Sequence, residues 1–182
     1  MILPVMLAVV LNLSLPPQTA PAQTASKAAT PPKAAMQVQS NLNQLMRGVL
    51  YPASNVVFYA QSDNPADVKP VPGQDPSMAP NPLASTFGGW QAVENAALAL
   101  VESANLLLIP GRNCANGLPA PINDPDWAKF VQELRNAGMK AYETAQSKNQ
   151  DKMVDAADAL SAACAGCHKK WREKPRLADR CK

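Results

Sequence analysis

Hydrophobic positions recur at three-and-four spacing in four stretches of this chain, and no stretch carries a convincing two-residue strand alternation. The first, about Met36 to Ala60, aligns Val38, Leu42, Leu45, Met46, Val49, Val56 and Val57 on one stripe. Pro52 lacks a backbone donor and crowds the preceding turn, which predicts a kink or short break near Leu50 to Ala53. The second stretch, about Trp90 to Leu108, aligns Trp90, Val93, Ala97, Leu100, Val101, Ala104 and Leu108, and Pro110-Gly111 stops it. Asp124-Pro125 opens the third, an acceptor side chain at the cap followed by a proline where no donor is needed. Its stripe is Trp127, Phe130, Val131, Leu134, Ala141, Tyr142 and Ala145. The fourth begins near Asn149 to Asp151, carries Met153, Val154, Ala157, Leu160, Cys164, Cys167, His168 and Trp171, and is ended by Pro175.

Residues 115–123 and 146–149 are connections short enough to join antiparallel neighbours, whereas Gln61 to Thr86 is a long link with six prolines. The expected fold class is therefore all-α, an antiparallel up-down-up-down four-helix bundle. The end of helix four would then share one end of the bundle with the start of helix one and the loop between helices two and three.

The segments outside this pattern divide the chain further. Met1 to Leu15 is apolar, short for a bilayer span, and followed by small residues with Ala20-Pro21-Ala22 as a cleavage site, so residues 1–22 read as a signal peptide without a basic start, with an upstream start codon or an uncleaved anchor as the alternatives. Residues 23–35, rich in alanine, threonine and proline, read as a flexible leader. The folded domain is expected over 36–174 and a tail over 175–182. No stable membrane span is expected after processing. A total of 182 residues, 47% of them apolar, suits one domain, and a net charge of +3 gives no reason to invoke nucleic acid.

Candidate chemistry sits in the last helix, in Ala163-Cys164-Ala165-Gly166-Cys167-His168. Two thiols three residues apart leave a helix on one face, at the spacing of thioethers to the two vinyl groups of a haem, and the adjoining imidazole can reach the iron. His168 is the single histidine of the chain. A redox dithiol would favour a strand-to-helix turn, which an alanine-rich helix does not provide. A zinc site would have to recruit Cys114 and Cys181, which stand at no zinc-like spacing. Covalent haem c near the C-terminus is the expected cofactor, with Cys164 and Cys167 as attachment points and His168 as proximal ligand.

Helix geometry also offers a distal ligand. At about 1.5 Å per residue, Met46 lies roughly 15 Å in from the start of helix one and His168 about 9 Å in from the end of helix four, within about one turn of level. Met139, about 21 Å from that end, and Met153, near the opposite end, should not reach the iron. A thioether opposite the histidine raises the reduction potential and leaves no coordination position for a substrate. An ordinary core role for Met46 is the competing reading.

Trp127 to Phe130, the amphipathic third helix, the turn before Asp151 and the run Cys164-Ala165-Gly166-Cys167-His168-Lys169-Lys170-Trp171 resemble the class II c-type cytochromes, cytochrome c-prime and its low-spin relatives. The resemblance covers roughly residues 36–174. It implies a four-helix bundle with haem attached at Cys164 and Cys167, His168 as proximal ligand, and a distal residue near Met46. Cytochrome c-prime tends to carry a basic residue one turn before the distal position. Here that turn holds Leu42-Asn43, Arg47 follows Met46, and Pro52 interrupts the helix. These departures favour the methionine-ligated members over five-coordinate gas binders.

Cys114 and Cys181 would meet at one end of the expected bundle, so a disulfide between them suits an oxidising compartment and would contribute on the order of 4 kcal/mol; a free thiol or an intermolecular link at Cys181 are the alternatives. Lys169, Lys170, Arg172, Lys174, Arg176 and Arg180 crowd the segment after the haem ligand, as a solvated helix end complementing its dipole or as a docking face for an acidic partner. The expectation from all of this is a periplasmic, exported, monohaem electron carrier serving redox partner proteins. It is not expected to be an enzyme, and a homodimer through helices one and two stays open. The alternatives are a five-coordinate protein that binds nitric oxide or carbon monoxide, and a helical adaptor without haem.

Overall fold

The computed structural model describes residues 36–181, and the expected signal peptide and leader lie outside that range. The described residues are all-α, with one isolated β-bridge, Asn113 to Pro119, and no strand.

Helix α1 covers residues 42–62 in three joined stretches: α-helical over Leu42–Leu45, π-helical over Met46–Leu50 and α-helical again over Tyr51–Ser62. It starts at Leu42 rather than at Met36. The reason is a capping box: Asn41 Oδ1 accepts from the Gln44 amide at 2.8 Å and Gln44 Oε1 accepts from the Asn41 amide at 2.9 Å. Met36 is left exposed.

The expected break at Pro52 is displaced by a turn. Pro52 lies within the second α-helical stretch, and the irregularity sits ahead of it, where the Tyr51 amide donates to the Met46 carbonyl five residues back. A proline at 52 cannot donate to the turn before it, so a widened turn there accommodates what a regular one would leave unbonded. The buried positions Leu42, Leu45, Leu50, Ala53, Val57 and Ala60 follow the same logic. The step from 45 to 50 is one residue too long for an α-helix, and the π turn absorbs the extra residue.

Helix α2 runs over Gly89–Ser103 and tightens to a 3₁₀ turn over Ala104–Leu108, so the expected single helix to Leu108 changes pitch for its last residues. Helix α3 is Pro125–Ser147, with Asp124 as cap accepting from the Asp126 amide and Lys148 closing it in the left-handed conformation. Helix α4 is Gln150–Trp171, capped by Asn149. It ends before Pro175 because the His168 carbonyl takes both the Arg172 and Glu173 amides. Of the residues expected on the buried stripe of α4, Met153 and Ala157 face the core, whereas Val154 is exposed.

The four helices share one core in which α1 packs on α2 and α4, and α3 on α2 and α4. Helices α2 and α3 approach closely at Gly138, where an added Cβ would stand 2.8 Å from Val101 Cγ2. The long proline-rich link is anchored rather than free, with Pro65 and Leu83 fully buried. Gln150 Nε2 donates to the Ala60 carbonyl, joining the start of α4 to the end of α1. At the other end of α1 the Leu42 amide donates to the Asn113 carbonyl in the α2–α3 loop. Cys114 of that loop is disulfide-bonded to Cys181 in the tail after α4, with Cα atoms 5.0 Å apart. No helix among the described residues is long and apolar enough to cross a membrane.

Candidate functional site

The last two turns of α4 carry Cys164, Cys167 and His168 at i, i+3 and i+4, which puts all three side chains on one face. That face borders a cavity of about 840 Å³, in the upper part of the size range of small-molecule and cofactor sites. Met46, Leu42 and Leu50 of α1 line it, as do Trp127, Phe130, Val131 and Leu134 of α3 and the tail residues Arg180 and Cys181. Met46 and the α4 triplet therefore share one chamber. Met139 and Met153 do not line it.

Aromatic packing shapes the wall behind the motif. Trp171 meets Trp127 edge-on at 4.9 Å between ring centroids and Phe130 at 5.4 Å, and Trp127 Nε1 donates to the Leu107 carbonyl at 3.0 Å. Gly166, between the two cysteines, lies against the Phe130 ring: a Cβ there would come 2.7 Å from Cε1. This contact was not foreseen from sequence, although a glycine inside a helix, where it costs about 1 kcal/mol relative to alanine, is itself a signal of close approach.

Cys164 and Cys167 carry free thiols, each partly buried. Burial pushes the Cys164 thiol up, with Arg172 opposing. Burial, and then the neighbouring Cys164, push Cys167 up to about 11. Burial lowers the pKa of His168, with Arg172 adding to the effect and Glu173 opposing it. At neutral pH the pair is protonated, unlike an activated redox dithiol, and the imidazole is in the neutral form that binds metals.

A zinc reading loses two ligands, because Cys114 and Cys181 are bonded to each other. Among the described residues no three His, Cys, Asp or Glu side chains cluster as a metal-binding group. A porphyrin brings its own four nitrogens and asks the protein only for axial ligands, so the donor set here fits haem and does not fit a bare ion.

Electrostatics at this end differ from a plain basic patch. Lys170 Nζ lies 3.0 Å from Asp124 Oδ1 and 2.5 Å from Asp126 Oδ2, tying the end of α4 to the start of α3. The backbone amide of Asp126, and then Lys170, hold the Asp124 carboxyl below its ordinary value. Arg172 pairs with Glu173 and Arg176 with Asp179, leaving Lys169, Lys174 and Arg180 without an ion pair among the described residues. Half of the expected positive run is thus neutralised internally. Arg47, Arg172 and Arg180 nevertheless line the cavity together with Glu173.

Comparisons of the chain with protein-family models, with curated proteins and with solved structures found no match.

Proposed function

We propose that the chain is an exported, periplasmic monohaem c-type cytochrome of the class II kind, carrying single electrons between redox partner proteins and performing no bond-making chemistry. The observation that carries this reading is that both thiols and the imidazole of C-x-x-C-H, and Met46 from another helix, border one cavity of cofactor size. Cys164 and Cys167 would hold the haem, His168 would be its proximal ligand and Met46 its distal one. Bound haem would supply one-electron iron chemistry, and the residues around it determine how freely that chemistry reaches solvent and small ligands.

Trp127, Val131, Leu134 and Leu50 line the apolar part of the chamber, where they would exclude water and favour the less charged, reduced state of a bound haem. Arg47, Arg172 and Arg180, which line the cavity, would offer guanidinium groups to the carboxylates of a bound haem. The helix contacts in cyclic order and the ties at the two ends of α1 support the antiparallel up-down-up-down bundle.

Visible spectra of protein made in a host that matures c-type cytochromes test the reading. Low-spin spectra in both oxidation states, unchanged by carbon monoxide, are expected from the wild type, and Met46→Ala should convert them to high-spin spectra that respond to the gas. A wild type that binds carbon monoxide at once would favour the five-coordinate, gas-binding alternative. A negative haem stain would favour the haem-free adaptor.

A further inference from the structure

The Arg112–Cys114 loop touches the helix that bears Met46 and, through a disulfide, the helix end that bears His168. On the α1 side, Arg112 Nη1 donates to the Ser40 carbonyl at 2.6 Å and to Ser40 Oγ at 2.8 Å, and the Asn113 carbonyl accepts from the Leu42 amide at 2.8 Å. Met46 is one helical turn further on. On the α4 side, Cys114 is bonded to Cys181, whose amide donates to the Trp171 carbonyl at 2.9 Å. His168 is less than one turn back.

Two further bonds stiffen the bridge. Arg112 Nη2 donates to the Leu106 carbonyl at 3.3 Å, and Asn116 Nδ2 donates to the Arg180 carbonyl at 2.8 Å. Arg112 is only 6% exposed and no carboxylate is among its partners. A guanidinium placed among neutral oxygens is an expensive way to fill space, but its planar fork suits the joining of several backbone segments.

We propose that the 112–114 loop is a clamp and that Arg112 and the Cys114–Cys181 disulfide are positioning residues for the axial pair. They hold the first turn of α1 at a fixed height against the last turn of α4, so that the Met46 thioether stays opposite His168. This rests on the His168/Met46 reading above. The side-chain caps of α1 and α4 are Asn41 and Asn149, neither of which belongs to the clamp. Its effect falls on the spacing across the cavity mouth, where the tail also forms part of the wall.

The test uses holoprotein and follows carbon monoxide binding to the reduced form well below the melting temperature, with far-ultraviolet circular dichroism as a check of the fold. The variants are Cys114→Ser/Cys181→Ser, Arg112→Met and the conservative Arg112→Lys, each in the wild-type and Met46→Ala backgrounds. With Met46 present, the disulfide-free and Arg112→Met proteins should bind the gas at a rate at least about tenfold above the detection limit that bounds the unreactive wild type, with Arg112→Lys in between. In the Met46→Ala background the same changes should add little, because the ligand being positioned is gone.

Equal acceleration in both backgrounds, or a lower melting temperature with no acceleration, would overturn the clamp. A spectrum that Met46→Ala leaves untouched would overturn the axial reading and the clamp with it. A spectrum that changes with Met46→Ala but not on opening the clamp overturns the clamp alone. Should the double serine variant fail to fold, Arg112→Met with its disulfide intact decides the question.

Discussion

Replacing Gly166 by alanine sets two opposed effects against each other, and the proposed haem would decide which prevails. Alanine is better than glycine inside a helix by about 1 kcal/mol. Its methyl carbon, however, would stand 2.7 Å from Phe130 Cε1 and 3.3 Å from Cδ1, so the ring must retreat by about 1 Å to reach ordinary contact at roughly 3.5–4.0 Å. Phe130 cannot retreat freely toward Trp171, which it meets edge-on at 5.4 Å; its other neighbour is the cavity it helps to line. In protein made without haem the ring can swing that way, the helix term prevails, and Gly166→Ala should raise the melting temperature by about 2–4 °C. With haem in place that route is closed. An overpacking cost of about 1–3 kcal/mol then outweighs the gain, and the melting temperature should fall by up to about 8 °C. Thermal unfolding of the Gly166→Ala and parent proteins, each with haem and as Cys164→Ser/Cys167→Ser, measures both cases. Shifts of the same sign and size in the two forms would refute the argument that the space beside Phe130 is the cofactor's.

Three other outcomes test the packing account. If the π turn sets the burial register of α1, Leu50→Ala should cost about 2–5 kcal/mol in chemical denaturation, and Val49→Ala, only partly buried, clearly less; the reverse order would restore a regular helix. Removing the Cys114–Cys181 bond, which spans 67 residues, should lower the melting temperature by about 8–16 °C from a loss of about 4 kcal/mol. Because the Asp124 carboxyl is held below its ordinary value, its contribution to stability is complete above the unfolded carboxylate range and fades as pH falls through the lowered value. Asp124→Asn should therefore lower stability at neutral and alkaline pH and flatten the acid side of the stability–pH curve, the two curves converging at low pH; an unchanged acid limb would count against the Lys170–Asp124 tie.

Local signals were readable where the backbone itself supplies the punctuation. Asp124-Pro125 and Asn149 mark the starts of α3 and α4, and each caps its helix. The N-x-x-Q capping box at Asn41 and Gln44 was equally present, but the apolar Met36 and Val38 ahead of it extended the helical pattern past its true start. Pro52 signalled a disturbance correctly in kind and wrongly in place, because the widened turn forms on the side whose carbonyls lose a donor. Val154 shows the limit of periodicity in an alanine-rich helix, where small residues make neighbouring stripes nearly equivalent.

Within the candidate site, Cys164, Cys167, His168 and Met46 follow from a motif and from counting rise per residue, both local operations. The Phe130–Gly166 contact, the pairing of Lys170 with Asp124 and Asp126, and the reach of Arg112 to Ser40 across 72 residues depend on tertiary packing, which no local pattern encodes. The basic run after His168 was visible as a run. What neutralises part of it was not, since two of the partners come from the start of α3.

The central claim is that haem is fastened to Cys164 and Cys167, and intact-protein mass spectrometry tests it most directly. Chain secreted by cells that mature c-type cytochromes should carry the added mass of one haem that survives denaturation, and Cys164→Ser/Cys167→Ser should lack it. Polypeptide of unmodified mass, from cells that load other cytochromes normally, would contradict the account.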